Sequence, residues 1–284
     1  MLNALFLALA TISQSAQAIL KKSYTVRTEK RGSLLFSAIS VLFAAFFFLA
    51  ISGMRLHITA EILPYAFGFA LFYGMAVLSG LLAIRCGSLA LTSLVSAYSL
   101  MIPTFYGILF LDEKADPLFY LALLILGVSL FLMNAGRRGV RITPAWVAIA
   151  FCAFLGNGLC STVQTAQQKA FGGQYKSEMM VVALLSVFFV MLLLSLILER
   201  GEIPTALRRG APCAVACGLF NGVCNLLVMV LAVRMAASLL FPVISAGGIL
   251  LTGLVSRVIY KERLSAGQYT ALLLGTASVI LMNL

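Results

Sequence analysis

Residues 82–134 read LAIRCGSLALTSLVSAYSLMIPTFYGILFLDEKADPLFYLALLILGVSLFLMN, and residues 231–283 read LAVRMAASLLFPVISAGGILLTGLVSRVIYKERLSAGQYTALLLGTASVILMN. The second segment repeats the first without a gap, 149 positions further on. Identities fall at matching places: Arg85 with Arg234, Ser96 with Ser245, Glu113 with Glu262, Tyr120 with Tyr269, Ser129 with Ser278, and Leu132-Met133-Asn134 with Leu281-Met282-Asn283. Each copy holds two apolar runs and the charged loop between them, so a set of structural elements was duplicated rather than a short motif. Weaker echoes extend upstream with one-residue slips. Leu71-Phe72-Tyr73-Gly74 resembles Leu219-Phe220-Asn221-Gly222, and Gln14-Ser15-Ala16-Gln17 resembles Gln164-Thr165-Ala166-Gln167.

Apolar runs broken by charge, Gly or Pro fall at 2–20, 32–52, 63–84, 87–111 and 117–134, then at 144–168, 179–198, 211–233, 236–260 and 267–283. Each approaches the ~20 residues that a helix needs to cross a bilayer core. The runs are continuously apolar and do not alternate with period two, and in lipid only helices or closed barrels satisfy every backbone group. The expected fold is an all-α integral membrane protein of ten transmembrane helices in two five-helix repeats. Residues 1–134 form the first repeat, 135–142 a basic cytoplasmic connector, and 143–284 the second repeat. The run at 2–20 lacks a basic n-region and carries Ser13, Gln14, Ser15 and Gln17 in its second half, so it reads as a retained helix and not a signal peptide.

Composition agrees. The chain is 62% hydrophobic and 10% charged, against roughly 45 to 50% and about 25% in soluble domains. The spacing of the runs leaves no room for a soluble domain of ~100 residues. The net charge of +11 comes from residues in short connectors, which orient a membrane protein and do not make a phosphate-binding stripe, so no nucleic-acid partner is expected. Cys86, Cys152, Cys160, Cys213, Cys217 and Cys224 all lie inside or at the ends of apolar runs, where they act as small hydrophobes. Cys213 and Cys217 share a helix face, but no His or third Cys joins them, and neither a metal nor a cofactor is expected.

Five helices per repeat is an odd number, so the two copies are expected to sit in opposite orientations. The connectors after helices 1, 3, 5, 7 and 9 hold fourteen Lys and Arg: Lys21, Lys22, Arg27, Lys30, Arg31, Arg85, Arg137, Arg138, Arg141, Arg200, Arg208, Arg209, Lys261 and Arg263. The other face holds five, Arg55, Lys114, Lys169, Lys176 and Arg234, and Arg257 lies inside the end of helix 9. The positive-inside rule makes the rich face cytoplasmic and both termini extracytoplasmic. The matched loops follow: Asp112-Glu113-Lys114-Ala115-Asp116 is net negative, whereas Lys261-Glu262-Arg263 is net positive. A compact multi-pass chain of this kind suits a bacterial inner membrane.

The stretches Ala83-Ile84-Arg85 through Leu111-Asp112-Glu113-Lys114, and Ala232-Val233-Arg234 through Tyr260-Lys261-Glu262-Arg263, share one pattern. An Ala-x-Arg opening leads into a long small-residue helix that ends in Glu and is followed by a final Gly-containing helix. With ten helices in a chain of this length, the pattern resembles the EamA-like branch of the drug/metabolite transporter superfamily. The family's mid-helix proline stands here as Pro103 and Pro242, at unequal distances from Glu113 and Glu262, and Asp112 and Lys261 replace the Gly expected before that Glu. The resemblance implies transport of a metabolite or drug by alternating access, through a cavity between the repeats lined largely by helices 1, 3, 4, 6, 8 and 9.

Polar side chains inside a bilayer cost free energy unless partnered, so their placement points to a site. Tyr73, Tyr98, Asn157, Asn221, Asn225 and Ser245 lie near span midpoints, where transporter sites are built, and Asn221 and Asn225 share one helix face. The same residues also suit helix-to-helix hydrogen bonding. Gln14 and Gln17, toward the cytoplasmic end of helix 1, and Gln164 and Gln167, toward the outer end of helix 6, are candidates for two pseudo-symmetric gates. The alternative for Gln17, Gln167 and Gln168 is an interfacial position facing water or headgroups.

All nine acidic residues lie in loops or at helix ends, which leaves no midplane carboxylate for a proton relay or a cation counter-charge. A neutral or zwitterionic solute, such as an amino acid, a nucleoside or a base, fits an amide and phenol lining best. Export of organic cations held by Tyr faces, and flipping of a lipid-linked substrate, are the alternatives. An enzyme is disfavoured, since the only histidine is His57 in a short connector and no Asp-rich pair occurs in a helix. The expected partners are the solute and membrane lipid, with the chain a monomer or homodimer.

Overall fold

The structure is a computed structural model that describes residues 2–28, 31–86, 95, 97–114, 116–134, 143–258 and 266–281. The connector 135–142 and the loop 261–265, with Arg137, Arg138, Arg141, Lys261, Glu262 and Arg263, lie outside the described residues, as do Ser96 and Lys30.

Ten α-helices and one short 3-10 turn, Ala60–Ile62, make up the described fold. In chain order they are α1 (Leu2–Arg27), α2 (Ser33–Ile51), α3 (Leu63–Cys86), α4 (Met101–Phe110), α5 (Pro117–Asn134), α6 (Pro144–Ala170), α7 (Lys176–Leu198), α8 (Ile203–Arg234), α9 (Ala237–Val258) and α10 (Ala266–Leu281). Local chemistry starts several of them. The Thr143 hydroxyl accepts the Trp146 amide at 3.2 Å with Pro144 in the first turn, so α6 opens with a side-chain cap and a residue that needs no amide partner.

Among the described residues, six helices are long and apolar enough to cross a membrane: those over Leu2–Thr25, Ser33–Ile51, Ala60–Ala83, Pro144–Ala170, Lys176–Leu198 and Ile203–Arg234. Met101–Phe110, Pro117–Ser129 and Ala237–Gly248 are shorter apolar stretches. The outer surface is apolar as well. Leu71, Phe189, Ile197 and Leu273 are all more than half exposed, a distribution that water would punish and lipid tails accept. The molecule fits a multi-pass helical membrane protein.

Two elements outrun their expected spans. The 26 residues of α1 and the 32 of α8 extend about 39 and 48 Å at 1.5 Å per residue, past a hydrocarbon core of about 30 Å. The basic cluster Arg208-Arg209, expected to end a connector before residue 211, is instead helical, and α8 continues through Pro212. Long basic side chains at a helix end reach the interface, so charge there does not stop the helix.

Packing pairs the helices in a regular way. α3 runs along α6 as α1 runs along α8, α2 lies against α7 and α8, α4 packs on α9, and α5 packs on α10. Small residues set the closest approaches. A β-carbon on Gly156 would lie 2.7 Å from the Phe72 carbonyl of α3, and one on Gly218 would lie 2.3 Å from the Ser40 carbonyl of α2. At Gly74, by contrast, such a β-carbon would meet no neighbouring helix or side chain within 4 Å. The largest buried cluster, including Phe48, Phe69, Met180, Leu184 and Met229, joins α2, α3, α6, α7 and α8. Between α5 and α10 two hydrogen bonds are reciprocal: the Ser129 hydroxyl donates to the Ala271 carbonyl at 2.6 Å, and the Ser278 hydroxyl donates to the Ala122 carbonyl at 2.7 Å.

Candidate functional site

The i, i+4 spacing of Asn221 and Asn225 puts both amides on one face of α8, and that face turns toward α1, α3 and α6. Asn221 Nδ2 donates to Gln17 Oε1 of α1 at 3.0 Å and to the Tyr73 phenol oxygen of α3 at 3.3 Å. Asn225 Nδ2 donates back to the Asn221 carbonyl at 2.9 Å and its Oδ1 at 3.0 Å, and Gln164 Nε2 of α6 donates to Asn225 Oδ1 at 3.2 Å. One chain of hydrogen bonds thus crosses four helices from both halves of the sequence.

Its five side chains are uncharged. Gln17 and Gln164 are buried, at 8% and 3% exposure, so neither faces bulk water at an interface. Apolar groups wall the network: the Phe69 ring stacks on Tyr73 at 5.5 Å between centroids, and the Phe47 ring fills the space left by Gly222. A further polar pair lies along α6, where Asn157 Nδ2 donates to the Ser99 hydroxyl beside α4. Gly158 permits this approach, since a β-carbon there would lie 2.6 Å from the Ser99 carbonyl. Asn157 and Gln164 are seven residues apart on one face, a polar stripe about 10 Å long.

The structure sorts the sequence candidates by direction. Tyr73, Asn221, Asn225, Gln17 and Gln164 meet in one network, and Asn157 lies on the same helix as Gln164. Tyr98 and Ser245 do not join them. The Tyr98 hydroxyl donates to the Gly127 carbonyl of α5, and the Ser245 hydroxyl to the Ala97 carbonyl at 3.3 Å, so both act as joints between helices. Tyr98 also lines a shallow, open apolar groove with Met101, Tyr120, Leu124 and Phe131, on the outward side of α4 and α5.

The glutamines divide likewise. Gln17 and Gln164 do not stand at opposite ends of the bundle; they bond residues one turn apart on α8, about 6 Å along its axis. Gln167 is fully buried and donates to the Gln174 carbonyl at 3.1 Å, tying down the turn between α6 and α7. Gln14 lies near Gly248 of α9, and its buried Oε1 has no hydrogen-bond partner among the described residues.

Three acidic residues have tasks that the sequence did not disclose. Glu113 accepts two backbone amides of α9, Ala237 and Ser238, each at 2.8 Å. Glu199 accepts Leu34 and Leu35 of α2 at 2.9 and 3.3 Å, and Glu202 accepts Gly32 at 2.6 Å. These carboxylates supply the first-turn acceptors that α2 and α9 lack in their own sequences. For Glu113 the recurrence of Glu262 in the repeat was a signal; for Glu199 and Glu202 none existed, because donor and acceptor are more than 160 residues apart.

No family model and no curated protein matches the chain. Among solved structures, one crystal structure is similar over 98% of this chain and 95% of its own, with a TM-score of 0.80 and 16% sequence identity. That likeness concerns the fold alone.

Proposed function

We propose that the protein is a secondary transporter that carries a small neutral or zwitterionic solute across the membrane by alternating access. The observation that carries this reading is the buried, uncharged Gln17–Tyr73–Asn221–Asn225–Gln164 network, assembled from four helices of both sequence repeats. Amides and a phenol offer donors and acceptors to a polar solute without fixing its charge, and a site at the repeat interface is where inverted-repeat carriers bind.

In this reading all ten helices span the bilayer as two inverted five-helix repeats, with both termini outside the cytoplasm of a bacterial cell. Two features support the inversion. Helix pairs recur under exchange of α1 with α6, α2 with α7, α3 with α8, α4 with α9 and α5 with α10. The reciprocal Ser129 and Ser278 bonds join residues that hold the same place in each repeat, as a two-fold relation requires. The chain is then an EamA-like member of the drug/metabolite transporter superfamily. The shallow apolar groove beside Tyr98 lies on the outward side of α4 and α5, and it favours a lipid-linked substrate as the second reading.

The test is ligand-dependent melting of the detergent-purified protein against amino acids, nucleosides and bases, quaternary amines, and lipid headgroup analogues. A ligand at ~100 times its dissociation constant adds about 2.7 kcal/mol of apparent stability. A soluble stabiliser whose effect vanishes in Asn221→Ala supports the small-solute reading. Stabilisation by lipid analogues alone would replace it with the second.

A further inference from the structure

Beyond α4 the chain folds back on itself. Asp112 adopts a left-handed backbone with φ of 52°, and the Glu113 amide returns to the Gly107 carbonyl at 3.3 Å. This turn lays the Glu113 side chain across α4 and onto the first turn of α9, where Oε1 accepts the Ala237 amide and Oε2 the Ser238 amide. Only glycine at position 107 leaves room for it. A β-carbon there would lie 2.3 Å from Glu113 Oε2 and 3.0 Å from the Ala237 β-carbon. A carboxylate suits the seat because it answers two unpaired amides and the positive end of the helix dipole together. Turn, glycine and carboxylate form one built joint between α4 and α9, which hold matching places in the two repeats.

The joint stands over an apolar plug. Ala237 clusters with Phe241 and Ile244 of α9, Val228 and Leu231 of α8, and Ala10 of α1. Cys224 packs on the margin of that cluster and is the neighbour in sequence of Asn225 in the polar network. Cys213 and Cys217 belong to a different cluster, with Tyr24 and Phe36, nearer the other end of α8.

We propose that Glu113 is a latch that holds α4 to α9 and keeps this end of the molecule shut over the central network, which opens to the outer face when the two Glu113 bonds part. The latch rests on the alternating-access reading and adds to it a named mechanical part. Two substitutions weaken it from opposite sides. Glu113→Gln keeps the size of the side chain but leaves one acceptor oxygen for two amides, and Gly107→Ala keeps the charge but displaces the carboxylate from α9.

The experiment labels the native cysteines of intact cells with a membrane-impermeant maleimide and follows each modified peptide by mass spectrometry. Both variants are expected to label Cys224 roughly tenfold faster than the parent chain, the scale set by loss of a charge-assisted hydrogen bond. Cys213 and Cys217 keep the parent's rate, and Glu113→Asp falls between. Melting of the purified variants identifies any that do not fold, and one folded variant is enough. Folded variants that label Cys224 at the parent's rate, or that speed Cys213 equally, overturn the latch. So does misfolding of all three, which makes Glu113 a stability residue. No transported solute enters the readout, so a failure of the transport reading and a failure of the latch remain distinguishable.

Discussion

Tyr73 and Asn221 stand 148 residues apart, hold echoing places in the two halves of the sequence, and hydrogen-bond one another at 3.3 Å. If the halves are related by a two-fold axis, as proposed above, mates meet only beside it, and this contact is where that axis would run. The pair differs in chemistry, a phenol on one side and an amide on the other, so the contact itself is asymmetric.

Asn221→Ala removes the donor that joins Gln17 to Tyr73, and Asn225→Ala removes the acceptor of Gln164. Each is expected to abolish solute-dependent stabilisation and transport in proteoliposomes, while the unliganded melting temperature falls by only a few degrees. Bonds between transmembrane helices average about 0.6 kcal/mol, so a collapse of expression in both variants would make the network structural.

Gly156 and Gly74 are expected to respond in opposite directions. A β-carbon at 156 meets the Phe72 carbonyl and the Ala76 amide at 2.7 Å, so Gly156→Ala forces α3 from α6 and costs roughly 1 to 3 kcal/mol. At Gly74 nothing lies within 4 Å, and Gly74→Ala gains up to about 1 kcal/mol from the stiffer backbone. Paired thermal denaturation curves decide it; equal shifts would contradict the packing described.

Glu199 is 4% exposed and holds two amides at the start of α2. Glu199→Ala leaves those amides buried and unanswered, with an expected loss of roughly 2 to 3 kcal/mol. Glu199→Gln recovers part of it, because its carbonyl oxygen still accepts. Denaturant titration in detergent reads the difference, and a silent Glu199→Ala would remove the capping role.

Ser129→Ala and Ser278→Ala delete bonds of equivalent geometry, at 2.6 and 2.7 Å. Each is expected to cost about 0.6 kcal/mol, with near-equal effects on the melting temperature. The double variant should show some coupling, since the two bonds share the α5–α10 seam. A large inequality between the single variants would argue against equivalent surroundings.

Much of the architecture was legible in the chain. The span 117–134 coincides with α5, and the other apolar runs coincide with helices to within a few residues, except at the basic ends of α1 and α8 and over 87–111, where the described helix α4 covers Met101–Phe110. The site was legible in part. Depth in a span follows from counting residues, and it singled out Tyr73, Asn221 and Asn225, which the structure joins in one network, together with Asn157, which bonds Ser99. Depth carries no rotation, however, and Tyr98 and Ser245 at similar depth turn toward neighbouring carbonyls and away from the network.

Hydropathy is a local property: a run of apolar side chains prefers lipid whatever surrounds it, and backbone groups in lipid must bond within the run. The sequence by itself therefore determined an all-helical membrane chain, its duplication and its charge bias. The tertiary structure alone decided that Gln17 and Gln164 converge on one face of α8, and that Glu113, Glu199 and Glu202 answer amides of helices remote in sequence. Those pairings depend on how each helix is rotated about its axis, and that rotation is set by glycine contacts and side-chain packing between helices.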